Sequence, residues 1–573
     1  MHDDQGGSGV AAVYADDPRL APLIGPGGPF EVEAVVVDGV PLRDFVRAPR
    51  SLVDVYRMGT GHGDLVHVVF GDERWTHADL RRRAESLARA LVTDLGVVPG
   101  DRVGIALRNL PEYVVAFWGA ALVGAVVVPL NAWWTGEELA YALADAGIRV
   151  LLADDERLTR VLDHGRPAGL SLIGVRSDRG DVALDDLLAG DPLPDGEFAA
   201  LGRDDPVILM YTSGTTGRPK GALITNRSML ASLWNMAFAT TREAIVSGRA
   251  PAPPRQSCSI SSGPLFHIGG ISAIVGAPMG GSKMVMMHKW DLDEALRLAV
   301  AEGVTGLGGV PAIARQILEH PGLADLGLDV RSFPMGGAAV PPDLPGAAIA
   351  VLGERVQILN GYGGTETTSA VVANVGVEFA ARPDSVGRPN LTADVRVVDA
   401  DGTVLPPGGV GELCVRSPQV VAGYWNDAVA TAAAFRDGWF HTGDVGFVDD
   451  DGYVHVVDRL KDVVIRGGEN VYSAEVEAVL HEHPDVAEVA VVGVDERVLG
   501  ERVCAVVVVR PGATLDLADL RAFAAGRLAA FKVPEALLVV DALPVTPTGK
   551  VAKRDLRTAI ASDPAALTVT WER

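Results

Sequence analysis

The chain has 573 residues, 48% of them apolar and 22% charged; that is globular composition, and too long for one hydrophobic core. Lys and Arg number 50 against 74 Asp and Glu, and the net charge of −24 argues against nonspecific nucleic-acid binding, which needs cations to displace counterions. It does not argue against a small anionic ligand, because a local cluster of cations works within an acidic surface.

The opening residues Met1-His-Asp-Asp-Gln-Gly-Gly-Ser8 are acidic and polar, unlike a signal peptide. Residues 1–30 read as a flexible arm, punctuated by Gly25-Pro-Gly-Gly-Pro29. Thr76 is a good N-cap, and Leu80, Ala84, Leu87, Ala88 and Leu91 follow at helical spacing. Val103–Leu107 reads as a buried strand. Tyr113–Leu130 carries no charge and is barely long enough to cross a bilayer. Gly119, Gly124 and Pro129 interrupt it and Val126–Val128 is β-branched, so a buried helix followed by a buried strand is the reading adopted, with no integral membrane segment. The alternation predicts an α/β fold: a large N-terminal domain, residues 31–458, of mixed sheets flanked by helices.

The segment Tyr211-Thr-Ser-Gly-Thr-Thr-Gly-Arg-Pro-Lys-Gly221 places three glycines, four Ser and Thr hydroxyls, and two cations in one loop. Glycines let backbone N–H groups approach an anion, and Arg218 and Lys220 supply charge, so the loop suits polyphosphate. It departs from a Walker A loop, and Pro219 would interrupt a helix starting there. A hydroxyl-rich hairpin turn is the competing reading. Gly361-Tyr-Gly-Gly-Thr-Glu366 joins an aromatic that suits purine stacking to a carboxylate that suits Mg²⁺; a polar turn with a solvated Glu competes.

Near residue 390 the pattern changes to short strands between turns, at Val395–Val398, Gly411–Val415 and Gly452–Val457, which predict a small β-rich subdomain over about 390–458. Within it, Asp444 of His441-Thr-Gly-Asp444 has two acceptor oxygens that match the vicinal hydroxyls of a ribose, with an Asx turn as the alternative. Residues 459–573 predict a separate α+β domain, with helices at Ala474–Glu482 and Leu517–Ala530 and strands at Val486–Val494 and Val503–Val509. The charged junction Arg459–Asn470 leads into it, and Pro547-Thr-Gly-Lys550 lies near its end. Cys258, Cys414 and Cys504 are far apart, have no metal-ligand spacing, and suit a reducing cytoplasm.

In this order and spacing the five clusters resemble the adenylate-forming superfamily of acyl-CoA synthetases, peptide-synthetase adenylation domains and luciferases, from about residue 50 to about 560. Pro264-Leu-Phe-His-Ile-Gly269 and Met335-Gly-Gly-Ala-Ala-Val340 add to the likeness, and the Phe-His pair, the Gly-Gly-Glu-Asn470 hairpin and the terminal lysine are similar to the acyl- or aryl-CoA ligase branch. The resemblance implies an ATP-dependent acid–CoA ligase for a hydrophobic or aromatic acid, with ATP, Mg²⁺ and CoA as its small molecules and a C-terminal domain that is mobile. It implies catalytic roles for Lys550, Thr365, Glu366 (also the metal ligand) and His267. It implies nucleotide binding by Thr212, Ser213, Gly214, Thr215, Thr216, Gly217, Lys220, Gly337, Ala338, Gly361, Tyr362, Gly363, Asp444 and Arg459. Lys461 is the implied hinge, and Gly467, Gly468 and Glu469 the CoA-binding turn. The acyl pocket falls to His267, Trp234, Val310, Gly336, Gly337 and Gly364. Gly364, Arg466 and Ser473 depart from the commoner family residues. Competing expectations are loading of a carrier protein, a single half-reaction shared with a partner, and a noncatalytic nucleotide-binding scaffold; the acid is not legible, and a homodimer stays open.

Overall fold

The computed structural model describes Tyr14 and residues 16–212, 218–248, 255–545, 551–564 and 567–569. The chain forms two compact units. The first takes residues up to Val395 together with Val415–Phe440, and the second takes Arg396–Cys414 with everything from His441. The expected boundary at residue 458 is therefore displaced. The chain enters the second unit at Arg396, returns to the first for Val415–Phe440, and leaves it again, so the subdomain expected at 390–458 is divided between the two.

In the first unit, β1 (Val32–Val37) and β2 (Val40–Phe45) form a hairpin, and β3 (Val66–Phe70) pairs with β4 (Glu73–Thr76). Helix α1 (His77–Thr93) starts where the sequence places it: the Thr76 hydroxyl accepts from Asp79 N–H while the Asp79 carboxylate accepts from Thr76 N–H. Strands β5 (Arg102–Ala106), β6 (Val126–Pro129), β7 (Ile148–Asp154), β8 (Ser171–Val175), β9 (Val182–Ala183), β10 (Pro206–Thr212) and β11 (Lys220–Thr225) make a seven-stranded sheet of order β11-β10-β6-β5-β7-β8-β9. It is parallel apart from the β10–β11 hairpin at its edge. The uncharged run before β6 is helix α2 (Pro111–Leu122), buried along its whole length, as expected. Among the described residues no helix is long and apolar enough to cross a membrane.

Helix α3 (Asn226–Val246) follows β11. β12 (Cys258–Ser261) and β13 (Lys283–Met286) flank helix α4 (Ile268–Gly280) and join β3 and β4 in a four-stranded sheet. A second four-stranded sheet orders β14 (Ser332–Gly336), β15 (Gln357–Gly364), β16 (Ser369–Val375) and β17 (Arg388–Pro389).

From Tyr14 on, the expected flexible arm is packed. Tyr14, Leu20 and Phe30 are buried with Phe45, Phe238 and Leu391, and the Tyr14 hydroxyl donates to the Pro389 carbonyl at 2.9 Å. The Gly/Pro punctuation concealed these three apolar anchors, whose partners Phe238 and Leu391 lie hundreds of residues away.

In the second unit, β18 (Val454–Arg459) pairs with the strand ending at Val448, and β19 (Val464–Arg466) turns into β20 (Glu469–Val471). Helix α5 (Ser473–His481) precedes the long hairpin of β21 (Val486–Glu496) and β22 (Gly500–Val509), whose core holds Val491, Val503, Ala505 and Leu520. Helix α6 (Leu517–Ala524) ends six residues before the expected Ala530, because Ala525 is extended and Gly526 adopts φ +80°. Helix α7 (Lys553–Ser562) follows, and a two-residue strand, Thr568–Val569, pairs with Ala536–Val539 at the end of the described residues.

Candidate active site

Open α/β sheets bind ligands beyond the carboxyl ends of their parallel strands. In the first unit β10 ends at Thr212 and β15 at Gly364, and the structure brings the two ends together. Thr212 pairs with Lys220 across the hairpin. The Thr212 hydroxyl lies 3.5 Å from Glu366 Oε1 and 3.5 Å from the Lys220 carbonyl. Ser213, Gly214, Thr215, Thr216 and Gly217, between these strands, lie outside the described residues, as does Lys550. A strand, and no helix, follows the loop, which agrees with its departure from a Walker A sequence.

The hairpin is braced on one side. Tyr211 donates its hydroxyl to Asp145 at 2.6 Å, and Trp425 and Asn426 donate to the Asp145 carbonyl at 3.0 and 2.9 Å. Burial, reinforced by Asp145, raises the pKa of the Tyr211 hydroxyl, so it stays a donor. Arg218 lies over the Tyr141 ring and Lys220 over the Tyr424 ring, 5.3 and 5.1 Å from their centres.

The Thr365–Glu366 loop is shaped by β15. Its register with β16 shifts between Tyr362 and Gly363, and a Cβ at Gly363 would stand 2.1 Å from the Ser369 carbonyl oxygen, so only glycine fits this bulge. Beneath the loop lies a buried amide network. Gln419 accepts from Asn235 and Asn390 at 2.7 and 3.0 Å and donates to the Ala370 carbonyl at 3.0 Å. The Thr368 hydroxyl returns a bond to the Gln419 carbonyl at 2.7 Å. Satisfied buried polar networks of this kind fix one geometry.

Gly336 lies beside Gly361 across the β14–β15 ladder, and Val310 Cγ1 stands 3.5 Å from where a Gly337 side chain would begin. Gly336, Gly337, Gly361 and Val310 thus share one region, with Gly337 and Ala338 exposed. His267 caps the start of α4, on a segment pinned by Asn109, which accepts from Leu265 N–H and donates to the Gly263 carbonyl, both at 2.9 Å. Trp234 belongs to a different neighbourhood, against the Tyr14, Phe30 and Phe238 cluster.

In the second unit, Asp444 and Arg459 are opposite each other in the ladder and form an ion pair at 3.1 Å. Asp444 is therefore a strand residue, and its N–H donates to the Thr442 hydroxyl at 3.0 Å. Lys461 is exposed. Gly467 and Gly468 form a two-residue hairpin loop with φ +61° and +89°, a type I′ geometry that glycine adopts without strain, and Glu469 is exposed beside it. Arg466, at the base, is clamped by Glu535 through bonds of 2.8 and 2.6 Å, which hold the Glu535 carboxyl below its usual range. Ser473 donates its N–H and hydroxyl to the buried Asp458 and accepts from Lys553 at 2.6 Å; a proline there would lose the first of these bonds. Glu412, Cys414 and His441 bring one ligand atom each within 4.8 Å, but His441 Nδ1 sits 2.8 Å from Glu412 Oε2 and 3.3 Å from Cys414 Sγ, a hydrogen-bonded pin between neighbouring segments. Cys258, Cys414 and Cys504 are buried thiols outside any disulfide.

Sequence reasoning missed Tyr424, Gln419, Asp145 and Asp458. Two carried a signal: Gln419 is a polar residue in the run Pro418-Gln-Val-Val-Ala422, and Tyr424 follows a glycine in an aromatic pair.

Residues 56–425 match the AMP-binding enzyme family and residues 475–550 match the AMP-binding enzyme C-terminal domain. The chain belongs to this family. It is 38% identical over 491 residues to a feruloyl-CoA synthase of Amycolatopsis sp, covering 85% of this chain and 94% of that protein. It is 35% identical over 499 residues to the fatty acid–[acyl-carrier-protein] ligase ScoC of Streptomyces coeruleorubidus, covering 86% and 92%. The crystal structure of ATP-bound MatB from Rhodopseudomonas palustris superposes with a TM-score of 0.78 at 31% identity, covering 89% of this chain and 99% of that one.

Proposed function

We propose that the protein is an ATP-dependent acid–CoA ligase that activates a hydrophobic or aromatic carboxylic acid through an acyl-adenylate. The observation that carries this is the meeting of the Thr212–Lys220 hairpin with the Glu366 carboxylate in a chain of the AMP-binding family. A carboxylate is too stable for a thiol to attack. Its oxygen first attacks the α-phosphorus of ATP, the bond to the β-phosphate oxygen breaks, and pyrophosphate leaves. Both reactants are anions, so the site must neutralise charge before they meet.

Each residue then has a task. Lys550 bridges the carboxylate and the α-phosphate, and Thr365 bonds the latter. The loop from Thr212 through Ser213, Gly214, Thr215, Thr216 and Gly217 to Lys220 holds the departing pyrophosphate. Glu366 and the Thr212 hydroxyl offer oxygen donors that fit Mg²⁺, a hard ion that keeps few protein ligands and shares phosphate oxygens. When bound, Mg²⁺ supplies positive charge to the triphosphate. Tyr362 with Gly361, Gly363, Gly337 and Ala338 frames adenine, and the Asp444–Arg459 pair fixes the ribose. His267, Val310, Gly336, Gly337 and Gly364 border the acyl group, and Trp234, packed in the Tyr14 cluster, is left out of that pocket.

In the second step the CoA thiol, having lost its proton, attacks the anhydride carbonyl and AMP leaves. Lys550 is no longer wanted. The second unit pivots at Lys461 and presents Gly467, Gly468 and Glu469 to pantetheine. Three buried thiols outside any disulfide suit a cytoplasmic setting.

The test is a panel of fatty, aryl and terpenoid acids with ATP and Mg²⁺, in which pyrophosphate exchange, AMP release and CoA thioester are measured separately. Exchange and thioester with at least one acid are expected. Exchange without thioester for any acid overturns the ligase reading. A second reading, a carrier protein as acceptor, is favoured by the likeness to ScoC; loading of a carrier protein in the same assay, with no CoA thioester, would select it.

A further inference from the structure

The segment Val421–Trp425 is stitched to both halves of the candidate nucleotide site. Val421 N–H donates to the Glu366 carbonyl at 3.0 Å, Ala422 N–H to Leu223 at 3.0 Å and Trp425 N–H to Gly221 at 2.7 Å. The segment therefore lies along β11 with its backbone fixed on either side of Tyr424. The Tyr424 hydroxyl donates to Glu366 Oε1 at 3.1 Å. The same oxygen has the Thr212 hydroxyl at 3.5 Å, so among the described residues both side-chain donors fall on Oε1 and neither on Oε2. The Tyr424 ring, edge-on to Phe435 at 5.6 Å, lies below the Lys220 ammonium.

We propose that Tyr424 is a positioning residue of the adenylation step: its hydroxyl holds Oε1 of Glu366 and its ring seats the ammonium of Lys220, so that Oε2 faces the divalent cation of the bound nucleotide. The inference rests on the reading of Glu366 as the cation's carboxylate. One side chain thereby fixes an anion and a cation that must act on the same triphosphate, and it keeps the two from collapsing into a direct ion pair.

The test is Mn²⁺ binding to the full chain in complex with α,β-methylene-ATP, read from the electron paramagnetic resonance of free Mn²⁺, beside the KM and kcat of pyrophosphate exchange. Tyr424→Phe keeps the ring and deletes the donor. It should weaken Mn²⁺ binding roughly tenfold, the size of one hydrogen bond to a charged group, and raise the KM for MgATP more than it lowers kcat. Tyr424→Leu removes the ring as well and should also weaken the nucleotide measured without metal, by roughly threefold. An inert misfolded fraction lowers the number of Mn²⁺ sites and leaves the dissociation constant unchanged, and urea unfolding of each variant shows that the chain is fully folded under the assay conditions.

Glu366→Gln separates the failures. If it weakens Mn²⁺ binding and Tyr424→Phe does not, the positioning role is wrong and the reading of Glu366 stands. If Glu366→Gln itself leaves Mn²⁺ binding unchanged, both fall. In the double variant, Tyr424→Phe should add little to Glu366→Gln, whereas full additivity would show that Tyr424 acts elsewhere.

Discussion

The Glu366 loop of the first unit and the Gly467–Glu469 hairpin of the second both sit at strand ends, yet they are held in opposite ways. The loop is fixed from beneath by the buried Gln419 network and from the side by Val421 and Tyr424. The hairpin is anchored at its base by the Arg466–Glu535 clamp and by Gly467 N–H on the Leu499 carbonyl, and its tip is exposed. The contrast follows from the chemistry proposed. A carboxylate that meets a triphosphate has to be preorganised, because reorganisation at the moment of reaction raises the barrier. A group delivered on a small rigid unit needs only a firm base.

The sharpest way to break this division is to remove the delivered charge. Lys550→Ala should slow adenylation by roughly 10²–10³, the cost of losing one charge-stabilising donor. Thioester formation from supplied acyl-adenylate should stay near normal. Single-turnover assays of each half-reaction decide it; equal losses in both would mean that Lys550 is not specific to the first step.

The first unit should also respond to acid in its own way. Burial, with the His77 ring 4.3 Å away, pushes the His67 imidazole down to about 4, while its Nδ1 is 2.9 Å from the Ser282 carbonyl. An unfolded histidine takes up its proton below about 6.5, and the folded one refuses it until about 4, so the unfolded state binds more protons in that window. Stability is therefore complete above pH 6.5 and is lost as pH falls towards 4, by about 3 kcal/mol. Calorimetry at pH 7.5 and 4.5 should give a smaller drop in Tm for His67→Gln than for the parent chain; equal drops would remove His67 as the cause.

Asp458 asks whether the base of the second unit is as firm as the comparison requires. Its buried carboxylate accepts from Ser473 N–H, the Ser473 hydroxyl at 2.8 Å and Ala474 N–H at 3.4 Å, and so caps α5 from β18. Asp458→Ala should destabilise that unit by about 2 kcal/mol, since it leaves buried donors unpaired at a helix start. Asp444→Ala, which removes the partner of an Arg459 side chain that is 55% exposed, should cost under about 1 kcal/mol. Urea unfolding of the two variants would reverse the assignment of base and surface if Asp444→Ala proved the more damaging.

Local signals carried most of the fold. The Thr76–Asp79 capping box, the strand at 102–106 and the helix–strand pair at 111–129 depend on residues close in sequence, and all were legible. The packing of Tyr14, Leu20 and Phe30 and the course of Val415–Phe440 were not, because their partners are distant in sequence. The same divide runs through the candidate site. Thr212, Lys220 and Glu366 lie in glycine-rich loops whose composition states their chemistry. Gln419 and Tyr424 act on those loops across 51 and 58 residues, and a lone Tyr or Gln states nothing until the fold supplies its partner.

The smallest rate effect expected tests the junction itself. Among the described backbone bonds, Asp462 and Val463 donate to the Arg459 carbonyl and Leu460 donates to Gly443, while none is donated by Lys461. Lys461→Pro therefore removes no such bond and acts by fixing φ at the proposed pivot and restricting Leu460 before it. Thioester formation should slow by about tenfold, or about 1.4 kcal/mol in the barrier, and adenylation by no more than about twofold. Lys461→Ala, which keeps the backbone free, should change neither rate beyond about twofold, since surface substitutions away from special features cost little. If the proline leaves both rates normal the pivot lies elsewhere; if alanine reproduces its effect, the lysine side chain and not backbone freedom is what the second step uses.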